Sequence, residues 1–449
     1  MVAVTLASTL REQHVVVLGG AYAGLSMALN LLRICDGTIG SFRRGSKGGR
    51  GGQSMTPQAP QMMPKITILD PRDGFYHAVG TPMAHTTKSY IDQPWRTWDQ
   101  IPELKRHSVS ILKGTAVRAD PRSKRLLYLS HESSSQDQHV LDYDYLVVAT
   151  GLRRPWPTIP VAATKAEYAV QAGRYIDRLQ KCNSVVIIGG GAVGIEMAAE
   201  IKHRYPTKQV TLIHSRSSLL SSEPVSPEFR DQVLEVVKHG GVNVILENRV
   251  LSAIEGLSTV KTIRLQTGSQ LTADEVIWAT SSAAPVTEFL PKEALDERGF
   301  VNVLPTTQFV ADIPNNNFHF AIGDVIATPG IRLAKTAIRM GSTAAMNIAQ
   351  MMVSAEQGEE VQSSLAQMRG PNKGLSLIIG GSGAAFDGKT GDVVSGPQVK
   401  NGIFGDDMAL HRKYSSLESW RSETLIGLQV HLVRSDYRWF HKLEWPIYE

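Results

Sequence analysis

A chain that carries two glycine turns, each set between an apolar strand and a helix, has few folds open to it. The fuller of the two is Val185–Glu200, VVIIGGGAVGIEMAAE, and an imperfect earlier copy is Val15–Leu25, VVVLGGAYAGL. In such a unit the glycines permit a tight turn and close approach of backbone to a ligand. The helix N-terminus adds free N–H groups and the positive end of its dipole, which together suit a pyrophosphate. One match arises easily by chance in a glycine-rich loop. Two strand-flanked matches in one chain predict two dinucleotide sites, and with them an α/β fold.

The 449 residues suffice for two or three domains, and 42% hydrophobic with 20% charged residues is ordinary for a soluble globular chain. The net charge of +5 is local, because Arg43, Arg44, Lys47, Arg50 and Lys65 fall in one segment that contains no acid. No nucleic acid is therefore expected as a partner. Cys35 and Cys182 are the only cysteines and lie far apart, which argues for a reducing compartment and against a dithiol redox centre. No metal site is expected. No apolar run approaches 18 residues and Met1–Leu10 lacks a cationic n-region, so a cytoplasmic location is expected, with peripheral membrane contact left open.

In the first copy His14–Leu18 reads as a buried parallel strand, Gly19–Gly24 as the turn and Leu25–Ile34 as the helix. Ala21 stands in place of the middle glycine, and its methyl narrows the approach to a pyrophosphate. The next strand, KITILD, ends at Asp70, an acid placed to accept the ribose hydroxyls of an adenosine. Gly19 precedes Asp70 by 51 residues, whereas Gly189 precedes the matching strand end, His214, by 25. The excess nearly matches the 29 residues of Gly37–Lys65, rich in Gly, Ser, Gln and Pro, which reads as a disordered insertion. That insertion is either a solvated loop or a basic arm touching nucleic acid or anionic lipid. Val109–Asp120 and Arg125–Leu129 read as strands of a small meander. Tyr143–Gly151 is an apolar strand ending in Ala149-Thr150-Gly151, whose small residues let a cofactor lie against the backbone.

Pro155, Pro157 and Pro160 mark a linker into the second copy, where Gly189, Gly191 and Gly194 complete the pattern before a helix at Ile195–His203. The strand Gln209–Ile213 runs out into His214-Ser215-Arg216 with no acid to repel a 2′-phosphate. Arg216 is either a partner for such a phosphate or a solvated surface residue. Leu251–Leu265 reads as strand, and Asp274–Thr280 repeats the Ala-Thr ending. Phe318–Asp324 closes on Gly323-Asp324, followed by a helix around Ile331–Met352.

The order of these elements resembles the two-dinucleotide-binding flavoproteins of the pyridine nucleotide-disulfide reductase-like superfamily, and within it the apoptosis-inducing-factor-like, ferroptosis-suppressor type. The likeness is closest in GGGAVGIEMAAEIKHRYPTKQVTLIHSRSSLL, LDYDYLVVATG and FAIGDV. It implies two Rossmann-like domains, with an NAD(P) domain (156–282) inserted in an FAD domain (12–155 and 283–355), followed by a small C-terminal α+β region (356–449). It implies FAD held by Gly19, Gly20, Ala21, Tyr22, Ala23, Gly24, Asp70, Ala116, Thr150, Gly151, Gly323 and Asp324. NAD(P)H would lie over Gly189, Gly191 and Gly194 with Arg216 nearby. Met83 stands where relatives often place an arginine near the flavin.

A reduced flavin develops negative charge and needs proton management, so a carboxylate and a cation beside the ring are useful. Glu196 is the catalytic candidate that faces both cofactors, against a reading as an ordinary first-turn acid. Arg332 and Lys335, on the helix after Gly323-Asp324, would supply positive charge; His77 and His85 are weaker candidates. Without a thiol pair, the acceptor must take electrons from the flavin itself, and the resemblance points to a quinone. A reductase for a small biosynthetic metabolite and a redox-weak nucleotide-binding signalling protein are the rival readings. The tail after Trp420, with Trp439, Phe440 and Trp445 beside Arg434 and Arg438, suits core packing, a homodimer partner or a bilayer interface.

Overall fold

The computed structural model describes residues 11–38, 42–43, 54–55, 57–132, 137–255, 260–280, 284–359, 365–368, 370 and 373–411. The basic core of the insertion and the aromatic tail after Trp420 lie outside the described residues. The first unit opens with β1 (His14–Leu18) and α1 (Tyr22–Cys35), then β2 (Lys65–Asp70), β3 (Val109–Asp120), β4 (Arg125–Ser130), β5 (Gln138–Asp142) and β6 (Tyr145–Val148). After α2 (Lys165–Lys181) come β7 (Ser184–Ile188), α3 (Ala192–Arg204), β8 (Gln209–Ile213), α4 (Pro227–His239), β9 (Asn243–Ile245) and β10 (Glu275–Trp278). The chain then returns through β11 (His319–Ala321) and α5 (Ala334–Gln357), and closes with β12 (Leu375–Ile379), β13 (Ser382–Phe386), β14 (Val393–Ser395) and α6 (Pro397–Ile403).

Two sheets carry the glycine turns. The larger has the order β11-β6-β1-β2-β3-β4-β5, parallel from β11 to β3 and antiparallel thereafter. The smaller is wholly parallel in the order β9-β8-β7-β10, and its strands fall between β6 and β11 in the chain. Central strands of such sheets are covered on both faces and so read as unbroken apolar runs. Val15, Val16, Val17 and Leu18 are accordingly buried, as are Val185 to Ile188.

Helix α1 is apolar nearly all round because it is wedged between β1 and α5. Ser26 Oγ donates to the Ile338 carbonyl at 2.8 Å, and a side chain at Gly341 would meet the Ala23 carbonyl oxygen at 2.3 Å. The backbones of α1 and α5 therefore touch. Strands β12 and β13 join the apolar core beneath the smaller sheet, through Leu375, Leu377, Ile379 and Ala384. The opposite side of β12 contributes Ile378 to a cluster with Met83, Tyr90, Phe404 and Met408.

Four sequence expectations are corrected. The proline-marked stretch after Arg154 is not only a linker: it carries the 17-residue α2, started by a capping box between Thr164 and Glu167. Leu251–Leu265 is not one strand but two, Val250–Glu255 and Lys261–Leu265, paired antiparallel. The helix after Gly323-Asp324 begins at Ala334, because Leu333 is still extended, so Arg332 lies in the preceding loop. Within the expected disordered insertion, Phe42–Arg43 pairs with Ser54–Met55, and the N–H groups of Gln61 and Met62 donate to the Glu356 carboxylate.

Candidate functional site

The two glycine turns are built alike. Gly19 and Gly189 have φ of +95° and +122°, and a side chain there would strike the carbonyl oxygens of Ala149 and Ala279 at 2.6 and 2.4 Å. Side chains at Gly24 and Gly194 would lie 1.9 Å from the carbonyl oxygens of Gly19 and Gly189, so these glycines let each helix pack on its own turn. The middle position needs no glycine: Ala21 (φ −80°) and Gly191 (φ −81°) are both extended N-caps. Neither helix has a side-chain cap, which leaves first-turn N–H groups for a ligand.

Each turn is tied to the neighbouring strand by matching bonds. Gly19 N–H donates to the Leu69 carbonyl at 2.9 Å and Gly189 N–H to that of Ile213 at 2.8 Å. Gly20 N–H then donates to Asp70 Oδ2 at 2.8 Å, and Gly190 N–H to His214 Nδ1 at 3.1 Å. Asp70 also takes three bonds from Arg72, one from its backbone N–H and two from its guanidinium. Four donors on one buried carboxylate make Asp70 first of all the anchor of the turn, and a ribose hydroxyl would have to displace an Arg72 contact.

Both turns open on one continuous cleft of about 2610 Å³, several times the roughly 300–1,000 Å³ of a single-ligand pocket. Gly19, Ala21, Tyr22, Ala23, Asp70, Ala116, Thr150, Gly151, Gly323 and Asp324 line one part; Gly189, Gly191, Glu196 and Arg216 line another; Arg332 and Lys335 lie on its wall. Gly20, Gly24 and Gly194 do not line it. Gly20 faces the ring of Trp98, which a side chain there would meet at 2.4 Å, and the other two are consumed in helix packing. Met83 also stays out of the cleft, buried among Tyr90, Phe404 and Met408.

Glu196 sits beyond the first turn of α3, so the helix dipole does not explain it. Its Oε1 accepts a long bond, 3.3 Å, from Ile378 N–H, and burial pushes its carboxyl up to about 8. Asp324 is also shifted upward by burial, opposed by Arg154 at 3.6 Å and by Arg332. The Arg332 guanidinium is spoken for: it donates to the carbonyls of Asp324 and Ile326 and lies 4.6 Å over the Phe300 ring. Lys335, in the first turn of α5, also lines the cleft.

His77 is fully buried, bonded to Tyr22 Oη at 2.9 Å and to the Met408 carbonyl at 3.0 Å, and so clamps the segment after α6 onto the first turn. Burial lowers His85 to about 4. Burial raises both thiols, Cys35 to about 12, and the two belong to different cores. Neither is a reactive thiolate. Among the described residues there is no cluster able to hold a metal ion and no helix long and apolar enough to cross a membrane.

Sequence reasoning missed Arg154, Arg249 and Glu223 as residues of the cleft. Glu223 Oε1 lies 3.6 Å from the position of a Gly191 side chain, and its Oε2 has no partner. It arrives there because Leu220, in the left-handed region at φ +54°, donates its N–H to the Gly190 carbonyl. Nothing local in SSLLSSEP announces that path.

Two glycine-turn units on parallel sheets, opening on a shared cleft, define a two-dinucleotide oxidoreductase fold. The chain belongs to the pyridine nucleotide-disulphide oxidoreductase family, which it matches over residues 13–341. It is 37% identical over 413 residues to oxidoreductase OXR1 of Ajellomyces capsulatus, covering 90% of this chain and 87% of that one. It is 26% identical over 311 residues to ferroptosis suppressor protein 1 of Mus musculus, covering 68% and 79%. The solved structure of NDH2 from Plasmodium falciparum in complex with NADH shares the fold, with a TM-score of 0.63 and 14% identity over 93% of this chain and 97% of that one.

Proposed function

We propose that the chain is an FAD-dependent oxidoreductase that takes hydride from NAD(P)H and passes electrons to a quinone-like small acceptor. The observation that carries this reading is the single cleft that joins both uncapped glycine turns, large enough for two dinucleotides end to end. The residues present fit a flavin nucleotide. Its phosphates would meet the backbone N–H groups at Ala21–Ala23, Gly114–Ala116 would hold its adenine, and Gly151, Gly323 and Asp324 would lie along the rest of it, the Thr150 hydroxyl being turned to the Val286 carbonyl. Gly189–Ala192 receives the nicotinamide nucleotide. Bound there, the flavin supplies the carrier that accepts a hydride and releases electrons to the acceptor.

The chain's own residues supply the rest. Glu196, which lines the cleft from α3, holds a proton on its carboxyl through neutral pH. Arg332, pinned over Phe300, and Lys335 present positive charge to the cleft. The two thiols, raised by burial and set in different cores, leave no relay between flavin and acceptor, which favours an acceptor that enters the cleft itself. A cytoplasmic location with peripheral membrane association accords with a lipid-soluble acceptor. The test is the visible spectrum of protein reconstituted with FAD, before and after NADH or NADPH and then a soluble quinone. A colourless protein, or a flavin band that no reduced nucleotide bleaches, overturns the reading; bleaching without reoxidation by quinone overturns the acceptor alone.

A further inference from the structure

We infer that the donor is NADPH rather than NADH, its 2′-phosphate taken by Arg216 together with Ser215 and Arg249 at the exits of β8 and β9. This rests on the second turn being the nicotinamide-nucleotide site. In the first turn, the N–H after the leading glycine donates to a carboxylate, Asp70. In the second, the same N–H donates to His214 Nδ1, and His214 Nε2 meets Ser221 Oγ at 2.9 Å. An imidazole nitrogen that accepts from a backbone N–H is unprotonated, so the post that carries a negative charge in the first copy is neutral in the second. Burial and the nearby Arg216 both hold His214 below its usual value. Among the described residues, no acid at the exit of β8 or β9 lines the cleft.

Cations stand there instead. Asn248 N–H donates to the His214 carbonyl at 3.1 Å and Glu247 N–H to that of Arg216 at 3.0 Å, which binds the exit of β9 to the exit of β8. Ser215, Arg216, Asn248 and Arg249 all line the cleft, whereas Glu247 does not. Both arginines are exposed, and neither makes an ion pair among the described residues. Asn248 Oδ1 is buried without a partner, a further polar group at this end of the cleft. The nearby acid, Glu223, lies over Gly191 in the turn rather than at the strand exit, and burial shifts its carboxyl upward. An arginine fork is matched to a phosphate, and two of them beside a serine favour the dianion over a bare ribose hydroxyl.

The test is isothermal titration of the purified full-length protein with 2′,5′-ADP and with 5′-AMP, which differ only in that phosphate and need no flavin chemistry. The phosphate should tighten binding by roughly 10- to 100-fold. Arg216→Ala should remove most of that difference, Arg249→Ala part of it, and His214→Glu should invert the preference by restoring a strand-end acid. Equal affinities, or tighter 5′-AMP, overturn this inference while leaving the second turn as a nucleotide site. Failure of both nucleotides to bind overturns the site assignment as well. A preference for 2′,5′-ADP that survives Arg216→Ala and Arg249→Ala together overturns the residue assignment.

Discussion

Replacing Glu196 by glutamine should stabilise the protein increasingly as the pH rises. The carboxyl is held at about 8 by burial, with one long bond from Ile378 N–H opposing that shift, against an ordinary value of 4.5. A group whose folded value lies above its unfolded value favours the fold fully at low pH, and that contribution is lost as pH rises from the unfolded value through the folded one. Relative to a permanently neutral side chain, the penalty grows from about 1 kcal/mol at pH 5 to about 4 kcal/mol at pH 8, taken at 1.36 kcal/mol per unit. Glu196 faces the cleft, and water there reduces the penalty, so a change of about 1–2 kcal/mol over that range is the realistic expectation. Thermal unfolding of wild type and Glu196→Gln at pH 5, 6, 7 and 8 reads it directly. The variant's midpoint should rise relative to wild type as the pH increases. Parallel profiles would mean that Glu196 ionises normally in the fold, and would remove the basis for treating it as the proton holder of the site.

Gly194→Ala should cost more than about 2 kcal/mol or abolish soluble expression, since the new methyl lies 1.9 Å from the Gly189 carbonyl oxygen. Gly191→Ala should keep its melting temperature, because its methyl meets only Glu223 Oε1 at 3.6 Å, while weakening nucleotide affinity measured by titration. Asp70→Asn leaves a guanidinium without its buried countercharge and should destabilise by about 3–5 kcal/mol, with flavin lost on gel filtration. Asn347→Ala removes three bonds that tie α5 to the carbonyls of Thr306 and Ala366 and to Ala366 N–H. It should lower denaturant stability by about 2–4 kcal/mol, at roughly 1–3 kcal/mol per group left unpaired.

What could be read in the sequence was what a dozen consecutive residues settle among themselves. A glycine at φ +95°, and a second one five residues on whose side chain would lie 1.9 Å from the first one's carbonyl oxygen, are local demands, so VVVLGGAYAGL and VVIIGGGAVGIEMAAE declared their turns without help from the rest of the chain. The strand ends at Asp70, Gly151 and Asp324 followed from the same logic, and all three reach the cleft. The role of each glycine was less legible. Gly20 faces Trp98, a residue 78 positions later, and no spacing rule foretells that contact. Helix α2 did leave a signal, the Thr164–Glu167 capping box, hidden behind the prolines that precede it.

The departures of one copy from the other carry more information than their likeness. Ala21 looked like damage to a phosphate site, yet it has the same extended backbone as Gly191, so the methyl is sterically licensed there. His214 looked like the loss of an acid, yet it accepts the N–H bond that Asp70 accepts in the first copy. The first replacement keeps the backbone conformation of the turn and the second keeps its hydrogen bond, and each changes only what the turn presents to its ligand. The turn's architecture and its ligand preference are thus set by different atoms of the same residue, the acceptor that faces the backbone and the charge that faces the cleft. A substitution at His214 that keeps an acceptor but adds a negative charge should therefore alter which nucleotide binds without undoing the fold.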